Sequence, residues 1–195
     1  MSKIGVVGMS SVSLQDCPLH NPMEIGEDWL FYGLPWHEEF YQLFDVCFEM
    51  HPWEELKKSH AKRPVEYKER LNWLSRSQTV YMQKAVGDVP GAKVYPLGDI
   101  VGQLGIDYFN SSIAYAMAMA ICDKPEEISI WGVDMTATEE YATQRPNMEF
   151  LIGLALGRGI DVKISNYSPL CKFDTTGIKL GNMEMEYKER YGWLL

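Results

Sequence analysis

The chain has 195 residues, of which 46% are hydrophobic and 23% charged, with a formal net charge of −9. That length suffices for one domain with a substantial core, and the acidic balance argues against broad attraction to nucleic acid, which needs clustered lysine and arginine. No apolar run reaches the roughly 18 residues that a membrane helix needs, and no basic-then-apolar leader opens the sequence, so a cytoplasmic location is the default expectation.

The first element is a short β-branched run, Lys3-Ile4-Gly5-Val6-Val7, ending at Gly8. The hydroxyl-rich stretch Met9 to Ser13 follows it. A loop of this kind after a first strand can cradle a phosphate through backbone N–H groups and serine hydroxyls. A plain strand-to-helix turn explains the same residues, and the GxGxxG dinucleotide fingerprint is missing. Asp16 to Gly26 holds two prolines and reads as irregular. Trp29 to Tyr32 reads as a second strand, Trp36 to Leu43 as a short helix, and Asp45 to Met50 as a third strand. Glu49 and His51 fall at the end of that third strand.

Trp53 to Ser77 is long, charged and helical in pattern, interrupted at Pro64. It reads as a helical insertion in a single domain spanning 1–195. A solvated helical pair is the plain interpretation. An acceptor-binding or lid element is the sharper one. Thr79 to Met82 and Lys93 to Pro96 read as strands, and Leu97 to Leu104 as a short helix.

The most informative stretch comes next. Asn110, Ser111 and Ser112 open a helix whose body, IAYAMAMAI, is apolar and mostly small. Any of the three can cap the free N–H groups of the first turn. A helix apolar on most faces is buried on most faces. Lys124-Pro125 stops it, and Ile128-Ser129-Ile130-Trp131 forms a short strand ending at Gly132. Asp134 and the loop through Thr136, Glu140 and Tyr141 follow, where a sheet of this class binds its ligands. Gln144 to Arg158 reads as a helix with Pro146 near its start, a tolerated place for proline. Ile160 to Ile164 reads as the last strand, and Met183 to Tyr191 as a terminal helix. About six strands and as many helices in alternation imply an α/β fold: a Rossmann-like, mostly parallel sheet with helices on both faces.

The four cysteines are dispersed, so no zinc motif is present. Cys47 and Cys122 lie in apolar runs and are expected to be buried thiols. Asp134 and Glu140 can ligate Mg²⁺, without a strong metal motif around them.

The segments YFNSSIAYAMAMAI, EISIWGVDM and the following EY are similar to bacterial sialyltransferases of the Campylobacter type. They also resemble the motility-accessory-factor and pterin-pyrophosphokinase-like Rossmann families, and small phage-encoded proteins share this layout. The resemblance covers residues 79 to 164, and the first loop weakly. It implies a nucleotide-sugar-dependent glycosyltransferase whose nucleotide lies across the strand ends. Gly8, Ser10, Ser11, Asn110, Ser111 and Ser112 match positions that hold the nucleotide in the sialyltransferases. Tyr141 lies about one residue out of register with a family tyrosine that contacts the departing phosphate. Thr136 replaces the other family tyrosine.

The family's catalytic histidine lies downstream of this loop, whereas the present chain has no histidine after His60. The candidate catalytic residues are therefore His51, Asp134 and Tyr141. Glu49 and Glu140 are alternative bases. Arg145 joins the nucleotide-binding candidates as a donor to the leaving group. Each has a structural interpretation too: caps for the serines, a turn for Asp134, a backbone-bonded strand end for His51, and surface pairs with Glu139 or Glu149 for Tyr141 and Arg145.

The expected ligand is a nucleotide-sugar donor, with Mg²⁺ as a candidate cofactor. The acceptor would be a sugar or, in a viral protein acting in host cytoplasm, a modified DNA base. The basic segment from Lys57 to Arg76 keeps DNA in consideration. No membrane partner is expected, and an oligomer is compatible with the sequence. Two further readings stand beside the transferase: a nucleotide-binding or sequestering protein without chemistry, and a diphosphotransferase of the pterin type.

Overall fold

A computed structural model of the chain describes residues 2–35, 40, 42–60, 64–136 and 139–171, except for the side chains of 59, 60, 64, 66 and 139–141. Seven strands form one sheet. They are β1 (Lys3–Val7), β2 (Trp29–Gly33), β3 (Val46–Glu49), β4 (Val80–Met82), β5 (Ala92–Val94), β6 (Glu127–Trp131) and β7 (Asp161–Ile164). Their order is β5-β4-β3-β2-β1-β6-β7, and every neighbouring pair is parallel. This is the Rossmann-like α/β arrangement, and each of its seven strands falls on one of the runs read as strands above. The chain builds outward from β1 in one direction through β5, then returns to the other side of β1 with β6. The reversal point therefore lies between β1 and β6.

The helices are α1 (Trp53–His60), α2 (Pro64–Arg76), α3 (Leu97–Leu104), α4 (Ser112–Cys122) and α5 (Glu139–Gly157). Two 3₁₀ turns, Pro18–His20 and Pro22–Glu24, lie between β1 and β2. No described helix is long and apolar enough to cross a membrane.

The central strands read as continuous apolar runs because both faces of a parallel sheet are covered. On one face lie α3, α4 and α5. Helix α4 is buried from Ile113 through Ile121 except at Tyr115. Alanines at 114, 116, 118 and 120 bring its axis close to β1, β2 and β3. Met148, Leu151, Ile152 and Ala155 of α5 share that core with Ile128 and Ile130 of β6. On the other face, Leu74 of α2 and Leu14 and Leu19 of the irregular segment cover Val7, Cys47 and Val80.

Three expectations need correction. Helix α5 begins at Glu139, so Pro146 lies inside it rather than near its start. An interior proline removes one backbone donor and strains the preceding turn. One residue beyond the carbonyl that loses its helical donor, Thr143 O accepts a hydrogen bond from Asn110 Nδ2 at 2.8 Å, which ties this turn to the start of α4. The buried face from Met148 to Ala155 anchors the longer helix. Cys122 is only half-buried, because it sits at the end of α4, whereas Cys47 in β3 is fully buried. The charged stretch forms two helices, α1 and α2, but α2 is not simply a solvated face, since Arg70 and Leu74 are buried. The helix expected from Trp36 to Leu43 falls mostly outside the described residues, and the one from Met183 to Tyr191 wholly so.

Candidate functional site

A cleft of about 910 Å³ opens beyond the carboxyl ends of the strands, at the reversal point. Three walls converge on it.

The first wall is the paired ends of β1 and β6. Gly8 N donates to Trp131 O at 2.8 Å, Ser10 N to Gly132 O at 2.8 Å, and Gly132 N to Ser13 O at 3.1 Å. These bonds knit the two loops into one ledge. Gly132 adopts a φ of +68°, which glycine takes without steric cost. Beyond it, Ser10 Oγ donates to Asp134 Oδ2. Asp134 Oδ1 is buried with no hydrogen-bond partner among the described residues. Such an acceptor is costly to leave unmet. The next residue, Met135, also holds a positive φ, of 54°. Non-glycine residues in that region gather at ligand sites.

The second wall is the start of α4. Ser111 is its N-cap, with Oγ accepting from Ala114 N at 3.2 Å. Ser112 Oγ accepts from Met50 N at 3.4 Å, which ties the helix start to the end of β3. Asn110 is held by α5, through Thr143 O and through Asn147 Oδ1, the latter 3.4 Å from Asn110 N. The free N–H groups of the first turn make this end of the helix partly positive.

The third wall is the end of β3. His51 is more than half exposed, its side chain 58% accessible, while Glu49 is fully buried. Glu49 Oε1 lies 2.6 Å from His51 Nδ1 and accepts from His51 N at 3.2 Å. Glu49 Oε2 accepts from Arg70 Nε at 2.8 Å and also from Arg70 Nη2. Arg70 is itself buried on α2. Burial pushes its guanidinium down to about 10, against the opposite pull of Glu49, so it remains charged at neutral pH.

The cleft thus brings together Gly8, Ser10, Ser11, His51, Asn110, Ser111, Ser112 and Asp134. Thr136 lines it as well. Arg145 does not. Its Nε donates to Glu149 Oε1 at 2.9 Å and its Nη2 to Pro169 O at 2.8 Å. Glu49 is no solvent-facing base either, since it reaches the cleft only through His51. Tyr141 stands in the first turn of α5, and its side chain, like that of Glu140, lies outside the described ones.

Sequence reasoning passed over Gln144 and Met50 in the lining and Arg70 behind it. Gln144 had a signal in its place just after Glu140 and Tyr141, one turn further along α5. Arg70 had none beyond its membership in a basic segment.

Among the described residues, the lining contains no lysine or arginine. Charge on a bound anion would be met by backbone N–H groups, hydroxyls and amides. Among the described residues no three His, Cys, Asp or Glu side chains converge as a metal-binding group. One Asp134 oxygen is engaged by Ser10, and no second described carboxylate joins it. The described donor set therefore does not fit the expected Mg²⁺.

No protein-family model matches the chain, and no curated protein matches it. Among solved structures it is similar to the sialyltransferase CstII from Campylobacter jejuni in complex with cytidine-5'-monophosphate, at 16% identity and a TM-score of 0.44, over 87% of this chain and 81% of that one. It is also similar to an α-2,3-sialyltransferase from Campylobacter jejuni in apo form, at 14% identity and a TM-score of 0.47, over 97% and 94% of the two chains. A third is the monofunctional α-2,3-sialyltransferase Cst-I from Campylobacter jejuni, at 12% identity and a TM-score of 0.48, over 97% and 93%.

Proposed function

We propose that this protein is a glycosyltransferase that takes a sugar from a nucleotide-sugar and passes it to an acceptor hydroxyl in the cleft at the reversal point. One observation carries the reading. A helix N-terminus suited to phosphate shares a single cleft with a histidine whose Nδ1 is engaged by a buried carboxylate.

The roles follow from the chemistry of each wall. The first turn of α4, with the Ser111 and Ser112 hydroxyls, stabilises the charge that grows on the departing phosphate. Asp134 Oδ1 accepts from a hydroxyl or amino group of the donor rather than from its phosphate, since two anions would repel. His51 Nε2 takes the acceptor hydroxyl's proton. As that O–H bond breaks, the acceptor oxygen bonds the anomeric carbon, and the carbon–phosphate-oxygen bond releases the nucleotide. A cleft of about 910 Å³ falls within the usual range for small-molecule sites, roughly 300–1,000 Å³.

The test is a thermal-stability screen against CMP-, UDP- and GDP-linked sugars. The CMP conjugates come first, because the sequence resembles sialyltransferases. A ligand at about 100 times its Kd adds about 2.7 kcal/mol to the stability of the folded state. The expected result is a clear rise in Tm with one nucleotide class. A flat response to all of them would end the reading.

The absence of any histidine after His60 favours a second reading, a nucleotide binder without chemistry. That protein would show the Tm rise, form no product, and bind equally well after His51→Ala.

A further inference from the structure

We infer that Glu49 and Arg70 are positioning residues that hold His51 in its Nδ1–H tautomer, so that the bare Nε2 faces the cleft as the proton acceptor. The functional half of this inference rests on the proposed reading of His51; the tautomer itself does not.

The geometry leaves one consistent proton arrangement. Glu49 Oε2 already accepts two N–H donors from Arg70. A carboxylate so engaged offers only acceptor sites at Oε1. His51 Nδ1, 2.6 Å away, must therefore supply the hydrogen. In the neutral ring the other nitrogen is then bare. Arg70 Nη2 also stands 3.3 Å from Nδ1. With Nδ1 protonated, that contact is donor facing donor, and both groups direct their protons at the carboxylate between them. The His51 backbone N–H donates to the same Oε1 at 3.2 Å, so the carboxylate grips both the ring and the peptide beneath it.

Burial separates this arrangement from an ordinary surface pair. Glu49 is fully buried and the Arg70 side chain nearly so, while His51 is open to the cleft. A buried ion pair is expensive to desolvate, and apolar residues of similar volume often serve stability as well or better. Here Glu49 of the pair sits at the carboxyl end of a strand, two residues before a cleft-lining histidine. What it supplies there is orientation, as the carboxylate of a Ser-His-Asp triad orients its imidazole. The charged helix α2 thereby becomes part of the site's support without lining the cleft.

The test is ¹⁵N NMR of the full chain without ligand, at a pH where the imidazoles are neutral. Long-range ¹H–¹⁵N correlations distinguish the protonated from the bare ring nitrogen, and His51→Asn identifies the His51 signals. His20 provides an internal contrast. Its Nε2 lies 2.9 Å from the Leu14 carbonyl, which can only accept, so His20 shows the Nε2–H form. The expected result is Nδ1–H for His51. Finding Nε2–H there would overturn the inference.

A second arm uses Glu49→Met with Arg70→Met, which removes both charges and leaves neither buried alone. His51 should revert to the Nε2–H form that free imidazole prefers. With a nucleotide-sugar that passes the stability screen, kcat should fall at least about 10-fold, because the other tautomer presents an N–H instead of a lone pair to the acceptor hydroxyl. The nucleotide-induced Tm shift should persist. Retention of Nδ1–H in this variant, or an unchanged kcat, would refute the positioning role. Should the double variant not fold, the wild-type spectrum decides by itself. Failure of every nucleotide to bind would sink the transferase reading while leaving the tautomer result standing.

Discussion

Gly8 and Gly132 meet backbone to backbone where the sheet reverses. A Cβ on Gly8 would stand 2.3 Å from the Gly132 carbonyl oxygen, and a Cβ on Gly132 would stand 2.5 Å from that of Gly8. Neither oxygen belongs to a side chain that can swing away. Gly132→Ala also carries the left-handed penalty, about 1–2 kcal/mol. We expect it to lower the urea midpoint at unchanged m, by more than that penalty alone. Gly153→Ala is the control. That glycine lies on the exposed face of α5, and a methyl group there would have nothing within 4 Å. The change should be neutral or stabilising by up to about 1 kcal/mol.

Ser111 can be both a helix cap and a phosphate donor, and two substitutions separate these roles. Ser111→Ala removes the cap and should cost about 1 kcal/mol of stability. Ser111→Asp keeps a good capping oxygen but places a negative charge where the phosphate would sit. We expect Ser111→Asp to melt near the wild type and to lose the nucleotide-induced Tm shift. A shift retained in Ser111→Asp would move the phosphate elsewhere.

Asp134→Asn tests the orphan acceptor. A hydrogen bond to a charged group is worth about 1.5–3 kcal/mol, so the donor's affinity should fall roughly 10- to 150-fold by titration calorimetry. The ligand-free protein should not lose stability in parallel and should melt at the same temperature or higher, because a buried carboxylate oxygen without a partner has been neutralised. Function and stability trade against each other in this way at strained sites.

His51→Ala should abolish turnover and spare nucleotide binding, since the helix start and Asp134 remain. General-base removal typically costs 10²–10⁴-fold in rate. A single-turnover assay of nucleotide release measures this, and wild-type turnover in His51→Ala would remove His51 from the mechanism.

The cysteines supply a pH-dependent check. Burial pushes the Cys17 and Cys47 thiols up to about 11. An acid whose folded pKa is raised stabilises the fold below its unfolded value, near 9.0, and that contribution drains away as pH climbs toward 11. Denaturant midpoints should therefore decline over pH 9–11. At pH 8 a thiol reagent should modify the exposed Cys171 first, leaving Cys17 and Cys47 protected until the protein unfolds.

Much of the fold was legible because its signals are local. The runs at Lys3–Val7 and Glu127–Trp131 are apolar, short and closed by glycine, and helix α3 spans Leu97–Leu104 as its sequence suggests. Ser111 announces α4, and the small residues behind it announce burial. The start of α5 was hidden because proline at 146 reads as a first-turn residue when neighbours alone are weighed. At the cleft, His51, Asp134 and the serines could be anticipated from their places at strand and helix ends. The Glu49–Arg70 contact could not, because it joins residues 21 apart in the chain through a helix whose pattern looks solvated. Arg145 was misleading for a simpler reason: Glu149, one helical turn away, already occupies it.

The hydrogen bond from Met50 N to Ser112 Oγ makes the cleft's two far walls answer to each other. The Ser112 hydroxyl accepts from that amide and keeps its own proton to donate, so a group that shifts the hydroxyl also pulls on the peptide next to His51. Under the proposed reading, occupancy of the anion site would be felt mechanically at His51, and the empty and the loaded protein would hold that imidazole under different tension.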